Sequence, residues 1–225
     1  MQQVICKFLD IQSYQITLPA MQEFTKKRNY NTLDEIWFLE HYPVFTLGKA
    51  GLEKHLLFNN NIPIIRSDRG GQITYHAPGQ LVIYFLIDLI RKSLSIKQLI
   101  DCILQSMIEF LKIKYNLNPE FNKEFPGIYI NGDKICSIGL KILKGCSYHG
   151  ISFNLDMDLM PFTWINPCGI NGLNMTQLKD CIIKDSVDSS LQNHIKIKQI
   201  ANLLKVFLLK KLEYVEYIES EYYAN

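Results

Sequence analysis

Residues 127–142 read GIYINGDKICSIGLKI, and they decide the fold. Asn131-Gly132 stands between two segments whose apolar residues alternate. Asn-Gly accepts the positive φ angles of a two-residue turn, so the stretch predicts a β-hairpin. Upstream, LVIYFLIDL (81–89) is almost continuously apolar. Such a run suits a strand buried on both faces, as happens where helices cover a sheet. VICKFLD (4–10), PVFTLG (43–48), IPIIRS (62–67) and SYHGISFNLD (147–156) are further strand candidates, bounded by turn formers. The segment from Tyr14 to Tyr30, with Pro19 near its start, reads as a helix, and DEIWFLEH (34–41) as a strand or loop. Ser95 can cap the best helix, whose apolar stripe is Ile96, Leu99, Ile100, Ile103, Leu104, Met107, Ile108 and Leu111. A basic, apolar helix spans about Ile195 to Leu212, with its lysines toward solvent. The acidic, aromatic ESEYYAN (219–225) reads as frayed or peripheral. Helices and strands alternate around a hairpin, so the expected fold class is α/β, a mixed sheet with packed helices.

A chain of 225 residues can bury a substantial core, and one domain over residues 1–225 is the simplest organisation. The 48% hydrophobic content excludes a disordered chain. The charge-free runs carry Pro, His, Asn and Gln, which argues against a membrane span. MQQVICKFLD lacks a signal-peptide pattern, so a soluble cytoplasmic protein is expected. The six cysteines, at 6, 102, 136, 146, 168 and 181, form no CxxC pair, so neither zinc nor a disulfide framework is expected. A formal charge of +2 with mixed signs gives no case for nucleic acid. RGGQITYHAPGQ (69–80) fits neither GxGxxG nor GxxxxGK[ST], so a dinucleotide or P-loop site lacks support.

Two charge-free stretches, Gly70–Ile87 and Leu159–Leu178, have the composition of interior segments. Both are crowded with residues that shape backbone and place hydrogen bonds. In the second, WINPCGING holds Cys168 between Pro167 and Gly169. Two roles are open for it, a nucleophile or a buried structural thiol. As a nucleophile it would need activation, because a free thiol titrates at about 8.5. Backbone N–H groups around it could receive an oxyanion. Strict alternation puts Lys134 on one face with Cys136, Ile138, Leu140 and Ile142. A lysine there is a general base discharged by burial, a charged neighbour that stabilises a thiolate, or a side chain that snorkels outward. His76 and His149, in uncharged surroundings, either orient a carbonyl, act as a base, or are structural. Arg69 would hold a loop carboxylate, meet a partner, or brace the fold. Gly70 and Gly71 form a tight turn or an open wall for a chain-like ligand. His41, His55 and His194 lack a supporting pattern.

RGGQITYHAPGQLVIY, GDKICSIGLKI, SYHGISFNLDMDL and INPCG occur in this order. Together they resemble the LipB-type octanoyltransferases of lipoate biosynthesis. The resemblance is clearest from about Phe45 to Gly172. It implies a domain related to the catalytic domains of biotin and lipoate protein ligases, and transfer of an octanoyl group from octanoyl-acyl carrier protein to a lysine of lipoyl domains. The acceptors it implies are the lipoyl domains of 2-oxoacid dehydrogenase complexes and the glycine cleavage H protein. By the same resemblance Cys168 matches the nucleophile and Lys134 the lysine that activates it. Arg69, Gly70, Gly71, Gln72, Ile73, Thr74, Tyr75 and His76 match a substrate-binding wall. Ser137, Ile138 and Gly139 match a second part of that site, and Gly150, Ile151 and Ser152 a third. No cofactor, metal, nucleic acid or membrane is implied, and a monomer is expected. One departure stands out, HAPGQ where the family usually has HGPGQ; Ala77 adds a methyl group without removing a chemical one. The competing readings are an ATP-dependent lipoate or biotin ligase, which needs no covalent cysteine, and an inactive binding module, which needs neither reactive group.

Overall fold

A computed structural model of the chain describes residues 3–58, 61–185 and 196–221. The hairpin forms as the sequence dictates. Asn131 and Gly132 take φ of 51° and 87°, and join β8 (Gly127–Ile130) to β9 (Asp133–Leu143). Lys144-Gly145, also at positive φ, turns β9 into β10 (Cys146–Asn154), and β10 pairs in turn with β6 (Gln80–Leu86). β2 (Asp34–His41) pairs antiparallel with β6, and β1 (Gln3–Gln12) lies parallel to β2. With β7 (Pro119–Asn122) and β11 (Glu216–Glu221) at the edges, the order is β11-β1-β2-β6-β10-β9-β8-β7. A smaller sheet holds β4 (Ile64–Arg66), β3 (Val44–Leu47) and β5 (Ile73–His76), in that order.

β6 shows why its sequence is apolar throughout. Leu81, Ile83 and Phe85 join the core on one face, and Val82, Tyr84 and Leu86 the core on the other. The first core is roofed by α2 (Ile96–Tyr115) and α4 (Ile197–Lys211), the second by α1 (Tyr14–Lys27) through Met21. Ser95 caps α2 in a reciprocal capping box with Gln98. Leu99, Ile103, Leu104, Met107 and Leu111 of the α2 stripe are buried, each stabilising the fold by roughly 1.5–3 kcal/mol relative to exposure. Ile96 at the start of the stripe is exposed. A short α3 (Leu178–Asp185) follows the long loop after β10. No helix among the described residues is long and apolar enough to cross a membrane.

Several expectations are corrected. Of the two expectations for residues 219–225, peripheral holds and frayed does not: residues 219–221 close the edge strand β11, parallel to β1, and residues 222–225 lie outside the described residues. The α4 lysines do not all face solvent. Lys205 is buried, ion-paired with Glu219 of β11 and set over the rings of Phe8 and Tyr217. The uncharged Leu159–Leu178 stretch is not interior throughout: Met160, Thr163, Asn171 and Asn174 are exposed, while Pro161, Phe162 and Ile165 anchor it.

Candidate active site

Lys134 does not share a face with Cys136, Ile138, Leu140 and Ile142. β9 carries one extra residue where its register against β8 shifts between Ile128 and Tyr129. Such a bulge reverses the facing of residues before it relative to those after it. Cys136 lies in the helix-covered core, and Ile138, Leu140 and Ile142 pack against it. Lys134 instead runs across Gly127, the residue opposite Ser137, on the α1 side. It is fully buried, and its Nζ donates to the Pro126 carbonyl and to Cys168 Sγ, both at 3.0 Å. Gly127 makes room: a Cβ there would lie 2.4 Å from Lys134 Cε.

Cys168 sits in a tight turn, Pro167–Gly169, at φ 58° and ψ 11°. A non-glycine residue in this left-handed region carries strain that the surroundings must hold. Gly169 N–H donates to Asn166 O and Ile170 N–H to Pro167 O, so the turn itself consumes both groups. Neither remains free for the oxyanion role expected of the backbone beside Cys168. Four other cysteines are held as neutral thiols. Burial pushes Cys6 and Cys136 up to about 12, and it raises Cys102 and Cys146 as well.

Lys134 and Cys168 open onto a cavity of about 200 Å³ between the two sheets. Gly70, Gly71, Gln72, Ile73 and Thr74 form one wall, Ser137, Ile138 and Gly139 a second, and Gly150, Ile151 and Ser152 a third. The structure thus brings together most of the residues singled out in the sequence. Tyr75 is the exception, packing with Phe45 and Phe162 in a separate apolar cluster. The first two walls meet where Gly70 N–H donates to Leu140 O at 3.2 Å. A Cβ on Gly139 would stand 3.0 Å from Gly70 O, so the glycine permits this approach. Arg69 lines the cavity but neither holds a carboxylate nor reaches outward. Its guanidinium donates to the carbonyls of Thr46, Gly70 and Gln72 and to the Thr46 hydroxyl, fixing the glycine loop.

The far end of the cavity is a polar aromatic cluster. Tyr14, His76, Tyr84 and His149 line it. Tyr14 pairs with Ser67 at 2.7 Å, and Tyr84 with His41 at 2.7 Å. Burial drives His41 down to about 4 and His76 to about 3, so both are neutral at physiological pH. His76 Nδ1 lies 2.7 Å from Gln80 Oε1. His149 takes φ 60° inside β10, is lowered by burial, and meets Asp68 Oδ1 at 2.8 Å through Nε2. Partial burial of Asp68 works against its charge, but hydrogen bonds from His149, Tyr148 and Gln22 hold its carboxyl well below the usual range. Asp68, Tyr14, Tyr84 and His41 were not foreseen as part of the site, since nothing in local spacing links them. His55 also comes close, with Nε2 3.4 Å from where a Gly169 Cβ would be. His194 lies outside the described residues.

Ala77 turns away from the cavity. It packs with Phe45, Ile73 and Phe162, and opens the turn in which Gln80 N–H returns to Ala77 O at 3.2 Å. Pro78 and Gly79, at φ 90°, are the residues a type II turn requires.

A mixed sheet with a lysine–cysteine pair at the mouth of a narrow pocket matches a known class of domain. Residues 13–197 match the lipoyl protein ligase A/B catalytic domain family. Lipoate-protein ligase A bound with ATP superposes with a TM-score of 0.72 at 15% identity, covering 98% of this chain and 90% of that one. Biotin protein ligase from Aquifex aeolicus, in complex with biotin and ATP, gives 0.54 at 12% identity, covering 95% and 71%. These likenesses establish the fold. The sequence is more specific: an octanoyltransferase of Haemophilus influenzae is 48% identical over 202 residues, 89% of this chain and 95% of the relative. One from Psychromonas ingrahamii is 48% identical over 218 residues, 97% and 95% of the two chains. The chain belongs to the octanoyltransferase family of acyltransferases.

Proposed function

We propose that the chain, as one catalytic domain, moves an octanoyl group from octanoyl-acyl carrier protein to a lysine of lipoyl domains through a thioester on Cys168. The acceptors are lipoyl domains of 2-oxoacid dehydrogenase complexes and the glycine cleavage H protein, and the enzyme works as a cytoplasmic monomer. The observation that carries this reading is the 3.0 Å contact of Lys134 Nζ with Cys168 Sγ at the cavity mouth. The Cys168 proton passes to the Lys134 amine, and the thiolate attacks the donor's thioester carbonyl. The carbon–sulfur bond to the carrier breaks, and Lys134 returns the proton to the departing thiolate. The acceptor ammonium then loses one proton to solvent, its amine attacks the Cys168 thioester, Lys134 takes the second N–H proton as the tetrahedral intermediate collapses, and Cys168 leaves as thiolate. Amide replaces thioester, so the exchange runs downhill without ATP. The octanoyl chain occupies the cavity, whose burial contributes roughly 0.8 kcal/mol per CH₂.

Intact-mass spectrometry tests the intermediate. Mixed with octanoyl-acyl carrier protein and no acceptor, the protein should gain one octanoyl group that hydroxylamine removes. Cys168→Ala should gain none. An equal adduct on another cysteine in that variant would overturn the assignment.

A further inference from the structure

Lys134 reaches Cys168 from a position that another side chain holds in place. Tyr129 is the cross-strand partner of Lys134. Directly opposed residues share a face, so the ring and the lysine stem lie side by side. The ammonium lies 5.4 Å from the Tyr129 ring centroid. The Tyr129 hydroxyl donates to Phe125 O at 2.8 Å, and the next carbonyl, that of Pro126, accepts from Lys134 Nζ. Asn122 Oδ1 accepts from the N–H groups of Glu124 and Phe125, so this short segment is pinned at both ends. Tyr129 is buried, and burial keeps its phenol protonated and able to donate.

We infer that Tyr129 is a positioning residue of the transfer reaction: it holds Lys134 against Cys168 through its ring face and through the Phe125–Pro126 segment. The inference rests on the lysine–cysteine reading of the site but needs neither substrate. The two contacts act in one direction. A π face favours an ammonium over an amine. A carbonyl acceptor on Nζ fixes the direction of the remaining N–H groups, one of which meets Cys168 Sγ. Both favour the state in which Lys134 carries the proton and Cys168 is a thiolate. Tyr129 itself exchanges no proton with the substrate.

The test is alkylation of Cys168 by iodoacetamide across pH, read by mass spectrometry, in wild type, Tyr129→Phe and Tyr129→Leu. Tyr129→Leu should raise the pH midpoint of alkylation by about one unit, a tenfold loss of thiolate at neutral pH. Tyr129→Phe keeps the ring and most of the packing, so its midpoint should move less than half as far. In octanoyl transfer kcat should fall with KM for the acceptor unchanged. A wild-type midpoint in folded Tyr129→Leu would overturn the inference. So would alkylation slowed equally at every pH, which marks a merely structural role. Tyr129→Phe removes one oxygen, so if Tyr129→Leu does not fold, Tyr129→Phe decides: a smaller upward shift of the midpoint upholds the inference, and a midpoint equal to wild type overturns it. Because alkylation uses no acyl donor, a shifted midpoint without octanoyl transfer would uphold Tyr129 while refuting the proposed substrate.

Discussion

Gly127→Ala should disable the site without removing any reactive group. The new Cβ would lie 2.4 Å from Lys134 Cε, 3.0 Å from Nζ and 2.4 Å from the Cys136 carbonyl oxygen. Carbon atoms pack at roughly 3.5–4.0 Å, so Lys134 must retreat by about 1 Å or more. Its bonds to Cys168 and Pro126 are 3.0 Å long, and that retreat takes both past hydrogen-bond range. A misplacement of about 1 Å costs on the order of 10²-fold in rate, or about 2.7 kcal/mol of barrier. The crowded Cys136 carbonyl adds a stability cost of roughly 1–3 kcal/mol, the range for overpacked cores. Single-turnover octanoylation of Cys168, with thermal unfolding of the same preparation, separates the two effects. The expected result is a folded protein with lowered Tm and about a hundredfold slower octanoylation. A folded variant that acylates at the wild-type rate would refute the claim that the Lys134 path over Gly127 sets the chemistry.

The buried histidines predict acid lability. His41 titrates at about 4 and His76 at about 3 when folded, against 6.5 when free. The unfolded chain therefore binds more protons below about pH 6.5, so stability is full above that pH and falls as pH drops through the window to about 4. Each histidine contributes a slope of roughly 1.4 kcal/mol per pH unit there. Urea midpoints at about pH 7, 6 and 5 should fall in turn; a flat series would show that these rings are solvated in solution. Ala77→Gly should leave acyl-length preference and octanoyl transfer unchanged, because the methyl packs against Phe45 and Phe162 outside the cavity. It should lower stability by about 0.4–1 kcal/mol through unfolded-chain entropy. Competition among hexanoyl-, octanoyl- and decanoyl-carrier protein checks it, and a loss of more than about tenfold in octanoyl transfer, roughly 1.4 kcal/mol, would contradict it.

What was legible in the sequence is what local chemistry determines. Asn131-Gly132 reads as a turn because its φ angles demand those residues, Ser95 reads as a helix cap, and β6 is apolar because both its faces are covered. The ordered blocks around Cys168 and Lys134 carry the family, and the two side chains meet as the resemblance implies. The rest depends on counts and distances that local patterns do not encode. One extra residue in β9 reverses the facing of Lys134, and strict alternation gives no sign of it. β11 is acidic, has no period-two apolar pattern and finds its partner at the other end of the chain, so its pairing leaves no local mark. Lys205 reads as a surface lysine, and only the arrival of Glu219 makes its burial tolerable. Arg69 looks like a ligand residue by type, yet its donors are taken by loop carbonyls that have no residue-type signature. Asp68 and Tyr129 act on the site through His149 and Lys134, a relation visible only once strands are paired.

The pairing of β11 with β1 also sets a clock on biosynthesis. Gln3 and Glu216 face each other across the sheet although 213 residues separate them. At roughly 5–20 residues per second, the ribosome takes about ten to forty seconds to deliver that partner. Over this interval β1 can dock on β2, but its outer edge offers unpaired N–H and C=O groups beside apolar Val4, Cys6 and Phe8. An open edge of this kind recruits foreign strands, and a charged residue such as Lys7 within it is a common deterrent. The timing of synthesis therefore leaves this edge open until the last strand arrives, and a chain cut short before residue 216 keeps its sheet open at β1.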